Sequence, residues 1–124
     1  MTNLFLPENS PMRSKNFIYG VATASFQIEG GAEHRLPCIW DTFCNTPNKV
    51  LDSSNGDIAC DHYHRWQEDL ELISSLGVDA YRLSLSWPRI IKQDGSLNNI
   101  GINYYISILD RLNAKGIKAY VTLY

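Results

Sequence analysis

Helix–glycine–strand occurs twice in this chain, with the two glycines, Gly77 and Gly116, 39 residues apart. No other feature limits the fold so tightly. Between Asp57 and Leu76, the residues Tyr63, Trp66, Leu70 and Ile73 recur at intervals of three and four, and Leu72 and Leu76 widen the same apolar face. That spacing predicts a helix laid against a core, and Gly77 supplies the left-handed residue that commonly ends one. Val78 to Trp87 then alternates. Tyr81, Leu83, Leu85 and Trp87 point one way, Arg82, Ser84 and Ser86 the other, and Pro88 is expected to terminate the strand. Asn98 and Asn99 are candidate caps for a second helix, from about Ile100 to Ala114, whose face is Tyr105, Ile108, Leu109 and Leu112. After Gly116 the chain is again extended to Tyr124, with Ala119, Val121 and Leu123 alternating with Tyr120 and Thr122.

Upstream, residues 1–14 are polar, carry two prolines and read as a lead-in arm. Phe17 to Ala24 is an apolar, small-residue run that predicts a short buried strand. Residues 30–57 contain Gly30-Gly31, Pro37, Pro47 and Asn55-Gly56, which predicts one long irregular loop. Loops of that length inside a compact domain are usually functional.

The order strand–loop–helix–strand–helix–strand predicts a parallel α/β sheet with right-handed crossovers. Order alone does not separate a closed barrel from an open doubly wound sheet. The polar face of the middle strand favours the barrel. A sheet covered by helices on both sides should be apolar on both, whereas a barrel lumen opening into a site takes polar residues near the strand C-termini. A complete (β/α)8 barrel needs roughly 250 residues. The 124 residues are therefore expected to form a single incomplete domain, a partial (β/α)8 TIM barrel with its first three strands and two intervening helices.

Composition narrows the partners. Eleven basic residues stand against 13 acidic ones with no basic run, so neither nucleic acid nor an anionic membrane surface is an expected partner. No stretch approaches the ~18 consecutive apolar residues of a spanning helix. The first residues lack the basic flank and apolar core of a signal peptide. Cys38, Cys44 and Cys60 are odd in number and lack the spacing of a disulfide scaffold. A reducing cytoplasm is the expected location.

The run Phe17-Ile18-Tyr19-Gly20-Val21-Ala22-Thr23-Ala24-Ser25-Phe26-Gln27-Ile28-Glu29-Gly30-Gly31 resembles the N-terminal signature of glycoside hydrolase family 1, the β-glucosidase family. Further blocks follow in family order: Ile39-Trp40-Asp41-Thr42-Phe43, Asp61-His62-Tyr63-His64-Arg65-Trp66, and Gly77 through Arg89. Val121-Thr122-Leu123-Tyr124 resembles the strand that in the family leads into a His-Trp pair. The resemblance covers residues 17–124, and four ordered blocks are far more specific than any one alone. It implies a parent enzyme that hydrolyses terminal β-D-glucosyl residues with retention of configuration, without a metal or organic cofactor, on β-glucoside or oligosaccharide substrates.

Site residues carry over position by position. Gln27 matches the residue that binds sugar hydroxyls in the cleaved subsite. An amide can donate to one hydroxyl and accept from its neighbour, which suits a vicinal diol. The alternative is a side chain that satisfies backbone groups at a strand end. Arg82 matches the arginine beside the nucleophilic carboxylate; an opposite charge at ~4–6 Å lowers a carboxylate pKa by ~1–3. The alternative is a structural ion pair with an acid inside the barrel. Glu29 is expected to be a buried hydrogen-bonding group that fixes the first loop. His62 and His64 with Cys60 and Cys44 match no ligand spacing for a metal. Trp40 and Trp87 read as core aromatics, although aromatics near a sugar can also stack on it.

Retaining glycosidases need two carboxylates about 5–5.5 Å apart. In this family they lie in Asn-Glu-Pro and Glu-Asn-Gly motifs, neither of which occurs in these 124 residues. Glu29, Glu33, Glu68 and Glu71 stand in other contexts, so no catalytic residue is assigned and the chain alone is expected to be inactive. Ala32-Glu33-His34-Arg35-Leu36-Pro37-Cys38 replaces a Gly-Lys-Gly-Pro-Ser-like run of many members, which leaves aglycone preference open. Competing expectations are a 6-phospho-β-glycosidase fragment, a non-catalytic sugar-binding remnant, and a truncated chain whose open sheet edges self-associate. The Ile39 to Phe43 block favours unphosphorylated substrates.

Overall fold

The computed structural model describes residues 5–123. The first four residues of the expected arm, and Tyr124 at the end of the expected last strand, lie outside the described residues. The sheet has three parallel strands in the order β1-β2-β3: β1 (Gly20–Ala22), β2 (Ala80–Ser84) and β3 (Lys118–Thr122). Gly20 pairs with Ala80 and Ala80 with Lys118, so all three run in step. The two predicted helices are α3 (His62–Ser75) and α5 (Asn99–Ala114). Three short helices, α1 (Ser25–Ile28), α2 (Ile39–Asn45) and α4 (Trp87–Ile90), fill the connections.

Both long helices pack on one face of the sheet. Leu70 of α3 and Tyr104, Tyr105, Ile108 and Leu112 of α5 close over Tyr81, Leu83 and Ile117 as one buried cluster. The opposite face, with Gly20, Ala22, Arg82 and Tyr120, is open. Helices on one side and an arginine on the other match the barrel expectation rather than the doubly wound one. The helix ends are chemically explicit. The Asn98 side chain accepts a hydrogen bond from the Ile100 N–H, and Gly77 and Gly116 sit at φ 68° and 71° where a left-handed residue is needed.

Several expectations change. The extended run from Phe17 shrinks to three paired residues and is not buried, because only β2 flanks it. Ser25 and Gln27, which follow the predicted strand, lie in the α1 turn, and Glu29 directly after it. The 30–57 segment is not irregular throughout: Ala32–His34 forms a 3-10 turn, and α2 follows. Trp87 leaves the strand, and Pro88 sits in the first turn of α4, where its missing N–H costs nothing. Leu72 and Leu76 are 65% and 64% exposed, on the outer side of α3. Every residue of β3 is exposed too, since no strand pairs with its outer edge among the described residues.

Candidate functional site

Parallel strands leave their C-terminal ends on one rim, and a cleft of about 650 Å³ opens there. Ser25, after β1, and Ser84 and Ser86, at the end of β2, form its floor; Trp40, Arg35 and Trp87 belong to its walls. The two tryptophans are 52% and 53% exposed. That corrects their reading as core aromatics: both are cleft walls. Phe26 lies 6.3 Å from Trp40 between ring centres, with the Arg35 guanidinium 5.6 Å from the Phe26 ring. Apolar ring faces beside hydroxyls and a guanidinium form a surface that can hold a polyol, rings against C–H edges and polar groups against hydroxyls.

Beneath the cleft the predicted role of Glu29 is realised. Its carboxylate is buried; it accepts from Arg89 Nε at 3.0 Å and from the Tyr105 hydroxyl at 2.6 Å. Arg89 is fully buried and also donates to the Gly30 carbonyl at 2.9 Å, while its guanidinium lies 4.1 Å from the Tyr63 ring centre. The Tyr105 oxygen in turn accepts from the Ser86 N–H at 2.7 Å. One carboxylate thus ties the Gly30-Gly31 turn, α4 and α5 together, directly below the cleft floor. Burial, first, and then the neighbouring Glu29 charge push the Tyr105 hydroxyl far above its ordinary range, so it stays a donor.

A second ion pair holds the cleft wall. Arg35 meets Asp41 through two bonds, at 2.6 and 2.7 Å, and the Cys38 N–H donates to the same carboxylate at 2.6 Å. These bonds, Arg35 foremost, hold the Asp41 carboxyl down to about 2.

Of the residues singled out from sequence, Gln27 lies exposed on α1 and Arg82 on the open face of the sheet; neither lines the cleft. His62 is buried with Nδ1 2.6 Å from Asp69, and His64 Nδ1 is 2.6 Å from Asp61. His64 meets neither Cys60 nor Cys44 in a cluster; it approaches Glu33 and His34 instead. The three cysteines are free thiols. Arg89 and Tyr105 had no assigned part in a site. Arg89 closes one of the matched blocks, and an arginine directly after Trp-Pro at a strand end was the available signal. Among the described residues, Glu29 is the one carboxylate on the cleft lining, and both its oxygens are engaged. Among the described residues, the cleft therefore presents no free carboxylate pair.

Residues 10–124 match the family model described as Glycosyl hydrolase family 1. A β-glucosidase of an Agrobacterium species is 57% identical over 112 residues, covering 88% of this chain and 24% of its own length. A solved β-glucosidase of Exiguobacterium marinum superposes with a TM-score of 0.86 at 48% identity, over 90% of this chain and 26% of that one. The virulence factor SghA of Agrobacterium tumefaciens, solved with its substrate analogue salicin, gives a TM-score of 0.82 at 54% identity, over 86% of this chain and 24% of that one. The chain spans about a quarter of the length of these relatives.

Proposed function

The chain belongs to glycosyl hydrolase family 1, and from that membership we propose that it is the N-terminal portion of a retaining β-glucosidase acting on unphosphorylated β-glucosides. The observation that carries the reading is its likeness, in sequence and in backbone alike, to proteins described as β-glucosidases, together with its likeness to the virulence factor SghA, solved with its substrate analogue salicin. The cleft at the strand C-termini, walled by Trp40 and Trp87 and floored by serine hydroxyls, supports it.

In the parent, Gln27 hydrogen-bonds sugar hydroxyls from α1, just past the end of β1. Arg82 lies on the inward face of β2 and keeps the nucleophilic carboxylate ionised. Glu29 is not a catalytic residue, because both oxygens already hold Arg89 and Tyr105. The 124 residues alone are inactive, since double displacement needs two carboxylates about 5–5.5 Å apart on either side of the anomeric carbon. No cofactor takes part. The three free thiols support a reducing, cytoplasmic setting.

Reading the coding sequence past Tyr124, and assaying the whole product, tests this. His-Trp, Asn-Glu-Pro and Glu-Asn-Gly are expected in frame, with hydrolysis of an aryl β-glucoside and a β-anomer as first product. Turnover restricted to the 6-phosphate would favour the phosphoglycosidase. A stop codon directly after Tyr124 would favour a binding or inert remnant. Turnover by the purified 124-residue chain that vanishes with a competitive inhibitor would refute its inactivity.

A further inference from the structure

We propose that Glu33, His34 and His64 form a surface site for a divalent transition-metal ion of the zinc class, which pins the segment after Gly31 to the first turn of α3. One ligand atom from each of the three lies within 4.8 Å of the others. Glu33 Oε1 and His34 Nε2 are 3.4 Å apart. Donors held ~2.0–2.1 Å from a tetrahedral zinc stand roughly 3.4 Å from each other. One pair already has that separation, and the third donor, on an exposed side chain, lies within 4.8 Å of both.

His64 is prepared for the role. Its Nδ1 is 2.6 Å from Asp61 Oδ1. With Nδ1–H donating there, the lone pair is left on Nε2, and a carboxylate behind the ring is the usual partner of a metal-binding histidine. The backbone beneath both histidines is fixed as well. The Tyr63 N–H donates to the Glu29 carbonyl at 2.8 Å, and the His34 N–H to the Gly31 carbonyl at 3.0 Å. Gly31 sits at φ 55° against the Tyr63 ring, where a Cβ would come within 2.8 Å. That close approach brings the 3-10 turn onto α3 and His34 to 5.9 Å from His64 between ring centres. Two imidazoles and a carboxylate suit zinc, with water completing the shell. None of these residues lines the cleft, so the site is independent of the glycosidase reading.

Titration of the full chain with Zn²⁺ by calorimetry, and with Co²⁺ by absorption, tests the site. One saturable site of roughly micromolar Kd is expected. His34→Ala and His64→Ala should each weaken it by at least about tenfold, and Asp61→Asn by about the same through loss of the orienting carboxylate. His34 and His64 are exposed, so far-UV circular dichroism should be unchanged in both variants, and His34→Ala alters α3 least. No saturable binding below about 1 mM would overturn the proposal. So would binding that both histidine variants retain, or thiolate-to-cobalt charge-transfer absorption, which would put the cysteines on the metal.

Discussion

An arginine with no exposed surface needs partners on every side. Arg89 has them in Glu29, the Gly30 carbonyl and the Tyr63 ring. Removing one member of a buried pair strands the other and costs ~3–5 kcal/mol, whereas replacing both can cost little. Arg89→Met is therefore expected to destabilise the chain by about that much in urea unfolding. Adding Glu29→Gln should recover part of the loss, because no charge is then left buried and an amide oxygen still accepts from Tyr105. If the double variant is no better than the single, the stranded carboxylate is not the source of the cost. Little of this was legible from sequence. Glu29 read as a buried hydrogen-bonding group from its place in the family signature, but its partners lie 60 and 76 positions away. Arginine is ordinarily a surface residue, and its place directly after Trp-Pro at a strand end is the one local mark against that default.

Legibility at the scale of elements follows length and punctuation. The helix α5 was readable to within a residue, because 16 residues of 3.6 periodicity lie between an Asn cap and a glycine. The seven residues of α2 were not readable, as Pro37 and Pro47 flank too few turns for a period to emerge. What holds so short a helix is tertiary: Asp41 in its first turn grips Arg35 and the Cys38 N–H outside it. Because the folded Asp41 carboxyl is depressed to about 2 from its ordinary 3.8, the stability it contributes is present above pH ~4 and lost as pH falls toward 2. Discounted for solvent, that is on the order of 1 kcal/mol. Carbon-13 NMR of the Asp41 carboxyl is expected to titrate near 2, and near its ordinary value in Arg35→Met. Equal midpoints in the two proteins would show that Arg35 is not the cause.

At the scale of the whole molecule the sheet is finished on one side only. Its helix face is closed by Leu70, Ile108 and Leu112, and three strands of a barrel with the two helices between them were legible because that face repeats helix–glycine–strand. What encloses the other face is not encoded in these residues, so Arg82 and Tyr120 look out onto open space. The outer edge of β3 offers unpaired N–H and C=O groups beside Tyr120, Val121 and Leu123, which are 49%, 36% and 70% exposed. Flat, apolar edges of this kind template pairing with another strand, and a charge placed on them opposes it. Lys118 is the one charged residue of β3, and it stands at the strand's start rather than its middle. The 124-residue chain is therefore expected to self-associate in sedimentation velocity, with weight-average mass rising across the micromolar range. Val121→Lys should shift that rise to higher concentration while leaving the buried cluster, which Val121 does not enter, intact. A chain that stays monomeric throughout, or a Val121→Lys variant that associates as readily as the parent, would mean that β3 is not the contact. Association unaffected by that charge would instead direct attention to the other exposed apolar surface, the Trp40 and Trp87 walls of the cleft.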